Sequence, residues 1–199
     1  NINTNWVFSR HLILYWKKPV FQNSPKIISD INKNLIPALN LLNLMVKLGI
    51  SRIVYFSSGG AIYGIPKTIP IVEEHPLHPI SSYGIIKATV EMYLFLYQKI
   101  HQLKPLIIRP SNPYGPRQGH YMAQGVISTF LRKAKLNESL IIFGDGKSKK
   151  DYIYIKDLIR SCYQLSISEE IGTFNIGSGD SHSINEIIDE IKRITGKDL

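Results

Sequence analysis

Ser81-Ser82-Tyr83-Gly84-Ile85-Ile86-Lys87 is the stretch on which the reading of this chain turns. Ile86, Val90, Leu94 and Tyr97 continue it at helical spacing, so a helix is expected from Ser82 to about His101. Tyr83 and Lys87 are four residues apart and share one face of that helix. A free phenol, with a pKa of about 10, is a poor base at neutral pH. Lowering it by about three units takes roughly 4 kcal/mol of preference for the phenolate, part of which a neighbouring ammonium supplies. The pair is therefore a candidate tyrosinate base for removing a hydroxyl proton. Two plainer accounts stand beside it: a solvated helix face, and a pairing of Lys87 with Glu91 one turn further on.

Composition excludes several classes. The chain has 199 residues, 44% of them hydrophobic, which is enough for one good core and part of a second. No apolar run reaches the length of a membrane span; Leu12 to Trp16 is short, lies between Arg10 and Lys17-Lys18, and reads as a buried strand. The lone Cys162 excludes an intramolecular disulfide framework and fits a reducing, cytoplasmic setting. The formal charge of +9 raises the question of nucleic acid. Its lysines and arginines are spread along the chain, with no zinc or helix-turn-helix pattern, so no nucleic-acid partner is expected. His75 and His78 lack ligand partners at metal spacing and read as surface residues, and no metal is expected.

Around the central stretch stand further ordered motifs. Upstream, the strand-like Arg52-Ile53-Val54-Tyr55-Phe56 runs into Ser57-Ser58-Gly59-Gly60-Ala61-Ile62-Tyr63-Gly64. Downstream, Leu106-Ile107-Ile108 breaks into Arg109-Pro110-Ser111-Asn112-Pro113-Tyr114-Gly115-Pro116-Arg117-Gln118. Gly144-Asp145-Gly146, Lys150-Asp151-Tyr152-Ile153-Tyr154 and Phe174-Asn175-Ile176-Gly177-Ser178-Gly179 follow. From about Asn34 to Gly196 this series resembles the extended short-chain dehydrogenase/reductase family, in particular its NAD-dependent nucleotide-sugar epimerase/dehydratase group, which includes UDP-glucose 4-epimerase.

The resemblance implies an α/β fold: an incomplete doubly wound, Rossmann-type parallel sheet with part of a smaller substrate-binding domain. Residues 1–112 and 152–168 would form the partial NAD-binding domain, and 113–151 with 169–199 the partial sugar-nucleotide domain. It also implies NAD as cofactor, a nucleotide-diphosphate sugar as substrate, epimerisation through a transient 4-keto sugar, and room for a homodimer in the intact enzyme. Tyr83, Lys87 and Ser58 take the catalytic roles. Asn34, Ser57 and Ser111 join Tyr83 and Lys87 around the cofactor, and Asn112, Tyr63, Arg117 and Lys150 face the substrate; Tyr63 reads equally as an aromatic filling its loop, and Arg117 as a surface residue. The family's catalytic hydroxyl falls on Gly59 when counted back from Gly64, so Ser58 or Ser82 must replace it. Dehydratases of the group carry an extra acid and base in this loop. Gly59-Gly60-Ala61 offers neither, which favours epimerisation over a dehydratase, reductase or decarboxylase.

Other departures bear on the fold. The Gly-x-x-Gly-x-x-Gly turn that cradles a dinucleotide pyrophosphate is missing, which suggests a fragment clipped at both ends, with catalytic inactivity as an alternative reading. A helix is expected from Asp30 to Lys47, kinked or divided at Pro37. Gln124 to about Lys135 reads as a helix, Leu140 to Phe143 and Tyr152 to Ile155 as strands, and Asp157 to about Ser168 as a helix capped by Asp157. Ser183 and Glu186 spell a capping box, before an isoleucine stripe that ends at Gly196.

Overall fold

The computed structural model describes residues 7–8, 11–14, 27–118 and 125–197. Along the chain run β1 (Val7–Phe8), β2 (His11–Leu14), α1 (Ile27–Asp30), a π-helical turn (Ile31–Leu35), α2 (Ile36–Lys47), β3 (Arg52–Phe56), α3 (Ser82–His101) and β4 (Lys104–Pro110). Then come β5 (Asn112–Tyr114), α4 (Val126–Leu136), β6 (Lys149–Lys150), β7 (Tyr152–Tyr154), α5 (Ile155–Ile167), β8 (Gly172–Ile176), β9 (His182–Ser183) and α6 (Ile184–Thr195). The chain divides into two units, Asn1–Pro110 with Arg160–Ile176, and Ser111–Ile159 with Gly177–Leu199. These boundaries differ from those read in the sequence. Residues 169–176 join the first unit because β8 is hydrogen-bonded to β4, and 152–159 join the second because β7 pairs with β5.

The first unit is built on a sheet of order β1-β2-β3-β4-β8, parallel except for the antiparallel β1. In β3, Ile53, Val54 and Tyr55 are at most 1% exposed, and in β4 Leu106, Ile107 and Ile108 are wholly buried. Consecutive residues of a strand point to opposite faces, so burial of all of them means that both faces are covered. One face is sealed by α2 and α3. Ala38, Leu42 and Met45 meet Ile86, Val90, Leu94 and Tyr97 over Ile53, Tyr55 and Ile107. Each such side chain contributes about 1.5–3 kcal/mol by leaving water.

Helix α3 matches the expected span. Ser81 caps it, its hydroxyl accepting from the Gly84 amide at 3.1 Å, and Gln102 ends it in the left-handed conformation. The helical stretch before β3 begins at Ile27, earlier than the sequence suggested. Pro37 falls in the first turn of α2, where its missing N–H is harmless, and the change of helical form precedes it.

In the second unit, β5 pairs with β7 and β6 with β9. Helices α4 and α6 bury Phe130 and Ala134 against Ile188 and Ile191. The capping box is formed: Glu186 N donates to Ser183 Oγ at 3.1 Å, and Ser183 N donates to Glu186 Oε2 at 2.7 Å. Two expectations fail here. Leu140–Phe143 forms no strand, since no neighbour pairs with it, and Phe143 is 94% exposed. Helix α5 starts at Ile155, which puts Asp157 inside its first turn, where it meets the helix dipole without acting as the cap. Among the described residues no helix is long and apolar enough to cross a membrane.

Candidate active site

The N-terminal turns of α3 deliver Tyr83 and Lys87 to one place. Both line a small pocket in the first unit, together with Asp30, Asn34 and Tyr55. Tyr83 is half-buried and Lys87 only 3% exposed. The Lys87 ammonium donates to the Phe56 carbonyl at 2.5 Å, and lies 4.8 Å from the centre of the Tyr55 ring and 5.7 Å from that of Tyr83. Burial pulls the Lys87 pKa down to about 7, against the Glu91 carboxylate, which pulls it up. Asn34 donates to the Asp30 carbonyl at 3.0 Å, and Asp30 accepts from the Ser82 hydroxyl at 2.8 Å. Ser82 is thereby tied to Asp30.

The loop after β3 is held by backbone. Ser57 N donates to the Ile108 carbonyl at 2.7 Å and Gly59 N to the Pro110 carbonyl at 2.9 Å, extending the parallel ladder past the end of β3. Ser57 is buried and its hydroxyl has no hydrogen-bond partner among the described residues; Ser58 is half-buried. Gly84 permits a close approach: an ideal Cβ there would lie 2.2 Å from the Ala61 carbonyl oxygen. Loop and helix therefore touch backbone to backbone.

Glu91 is fully buried, and it pairs with Arg109. Arg109 Nε donates to Oε1 at 3.1 Å and an Nη to Oε2 at 2.5 Å. The other Nη of Arg109 donates to the Tyr63 hydroxyl at 2.7 Å and the Glu73 carbonyl at 2.9 Å. The Tyr63 hydroxyl in turn donates to Asn175 Oδ1 at 2.7 Å. This network bears on two expectations. Tyr63, read either as lining the sugar pocket or as filling its loop, is 2% exposed with its hydroxyl bonded on both sides, as loop filling requires. His75, expected at the surface, is buried, accepting from Lys67 N at 3.0 Å with its ring edge-on to Tyr63. His78 is exposed.

Ser111, Asn112, Arg117 and Lys150 all belong to the second unit. Asp151 gathers the first two. Its carboxylate accepts from Ser111 Oγ at 2.8 Å, Ser178 N at 3.0 Å and Gly179 N at 3.1 Å, and its carbonyl from the Asn112 side chain at 2.8 Å. Arg117 is exposed in a left-handed backbone conformation, and Lys150 is exposed on β6. The sequence reading gave no role to Asp30, Arg109 or Asp151, and to Glu91 only a pairing with Lys87. For Glu91 a signal existed: a carboxylate beside an apolar stripe demands a buried cation.

Comparison with known proteins decides the family. The model of the NAD dependent epimerase/dehydratase family matches residues 20–177. The chain belongs to that family. A Methanocaldococcus jannaschii protein with the provisional name UDP-glucose 4-epimerase is 41% identical over 170 residues, covering 85% of this chain and 55% of its own. The crystal structure of UDP-glucose 4-epimerase with UDP-glucose from Thermotoga maritima superposes with a TM-score of 0.90 at 35% identity, over 96% of this chain and 62% of that one. The Thermus thermophilus UDP-glucose 4-epimerase complex with NAD gives 0.85 at 29% identity, over 95% and 63%. The chain thus spans a little over half the length of these relatives.

Proposed function

We propose that the complete gene product containing this chain interconverts a UDP-sugar and its C4 epimer through a 4-keto sugar, with Tyr83 as the proton-transferring base. The observation that carries this is the Tyr83–Lys87 pocket: a half-exposed phenol beside an ammonium that is buried, poised near neutrality and hydrogen-bonded to backbone. In such a setting the two protons are coupled. A phenolate forming at Tyr83 strengthens the hold of Lys87 on its proton, and the ammonium in turn lowers the phenol pKa.

The residues fit the nicotinamide-ribose end of a dinucleotide. Tyr83, Lys87, Asn34 and Asp30 bring phenol, ammonium, amide and carboxylate into one pocket at the end of β3, where open α/β sheets hold ligands. NAD bound there would supply hydride uptake and return. Tyr83 takes the proton from the sugar 4-hydroxyl and later gives it back, while Lys87 orients the ribose and holds the phenol acidic. Ser58 is the hydroxyl assigned to assist Tyr83, with Ser57 beside the cofactor. In the second unit Ser111, Asn112, Arg117 and Lys150 are assigned to the nicotinamide side and the diphosphate. UDP is favoured by the names of the relatives, and epimerisation over dehydration by Gly59-Gly60-Ala61, which supplies neither acid nor base.

The test is Tyr83→Phe in the complete gene product. Conversion of UDP-glucose to UDP-galactose, separated by anion exchange, should fall at least about 100-fold, with NAD binding retained. Wild-type turnover in that variant overturns the assignment. Release of a dehydrated or decarboxylated product by the unaltered enzyme overturns the reaction type.

A further inference from the structure

We infer that Glu91 and Arg109 are positioning residues for the Tyr83–Lys87 pair: their buried two-point ion pair fixes the rotation of α3 about its axis, and so delivers the Lys87 ammonium to the Phe56 carbonyl. The inference rests on the catalytic reading of Tyr83 and Lys87.

Tyr83, Lys87 and Glu91 follow one another at four-residue steps along one side of α3. Beside them Ile86, Val90 and Leu94 pack into the core, and such contacts are non-directional. At a side-chain radius of about 5–6 Å, a 20° roll of a helix moves a group by about 2 Å. That would cost Lys87 its 2.5 Å bond to Phe56 while leaving much of the apolar contact in place. A planar guanidinium bound to both oxygens of a carboxylate resists such a roll, because both bonds must stay aligned.

Arg109 cannot simply follow the helix. It lies on β4 and is held on its other side by the Tyr63 hydroxyl and the Glu73 carbonyl, while Glu73 Oε1 in turn accepts from Asn175 N on β8 at 2.7 Å. The helix is thus referenced to two adjacent strands. Net stability is a weak account of the pair, since a buried ion pair often does no better than apolar residues of the same volume. Orientation is what an apolar pair could not supply.

The charged and titratable groups around Lys87 are consistent with this. Glu91 and Tyr83 face it from α3 and Tyr55 from β3, Asp30 from α1 shares its pocket, and Arg109 from β4 acts on it through Glu91.

The experiment replaces the pair by apolar residues, Glu91→Met with Arg109→Met, and separately makes Arg109→Lys, which keeps the charge and loses the fork. In the complete gene product the double variant should keep KM within about threefold and lose tenfold or more in kcat, with Arg109→Lys between it and the wild type. In the complete gene product without substrate, carbon-13 NMR of lysine Cε follows Lys87 in the absence of turnover. Loss of the Glu91 charge by itself lowers its midpoint in the double variant, so the reading is taken in Arg109→Lys, which keeps that carboxylate and should still move the midpoint away from that of the wild type. Unchanged kcat in the double variant overturns the inference. If the double variant does not fold, Arg109→Lys decides, and wild-type kcat in that variant overturns it. Failure of the unaltered enzyme to epimerise UDP-glucose would count against the proposed function alone, because the Lys87 titration still reports on positioning.

Discussion

Replacing Lys87 by Met removes a buried ammonium while keeping an unbranched side chain one atom shorter, and the structure fixes how the effect depends on pH. Lys87 is 3% exposed and its pKa falls from 10.5 to about 7. The folded value lies below the unfolded one, so the ammonium opposes folding. That opposition is complete below about pH 7, shrinks as pH rises, and is gone above 10.5. At 1.36 kcal/mol per unit its full size is up to about 5 kcal/mol. The lost bond to the Phe56 carbonyl offsets part of any gain by a constant amount, about 1 kcal/mol. The difference in unfolding free energy between Lys87→Met and wild type should therefore favour the variant by about 3 kcal/mol more at pH 6 than at pH 9. Urea unfolding followed by far-ultraviolet circular dichroism measures it. Two stability curves that stay parallel to within 1 kcal/mol across that interval would show that Lys87 is not desolvated as the fold requires.

Three further changes test other joints. Gly84→Ala would ordinarily gain up to about 1 kcal/mol in a helix; with a Cβ 2.2 Å from the Ala61 carbonyl it should instead destabilise, and the urea midpoint should fall. Asp151→Ala removes the acceptor of Ser178 N and Gly179 N, so exchange of those two amides should speed up tenfold or more while amides of β3 and β4 are unchanged. Ser183→Ala removes one half of the capping box and should cost about 1 kcal/mol, read in the same urea titration.

What the sequence revealed was local in character. The span of α3, its buried stripe and the box at Ser183 and Glu186 each depend on residues within a turn or two, and they were legible. The continuous apolar runs of β3 and β4 likewise announced strands covered on both faces. The Arg109–Glu91 pair joins residues 18 apart, and Tyr63 meets Asn175 across 112. No periodicity encodes such meetings, so the reading of Tyr63 stayed divided between ligand and loop, and His75 looked exposed. Leu140–Phe143 misled for the opposite reason: its composition suits a strand, but a strand exists only where a neighbour receives its hydrogen bonds.

Gly59 carries a constraint for anyone wishing to rebuild this loop. An ideal Cβ there would stand 3.0 Å from the Pro110 carbonyl oxygen and 3.1 Å from that of Arg109, the edge along which the loop is stitched. Grafting a serine at that position would press it into backbone instead of presenting an alcohol to a sugar. A redesign that seeks a stronger proton donor has more freedom one residue earlier, where the chain is half open to solvent.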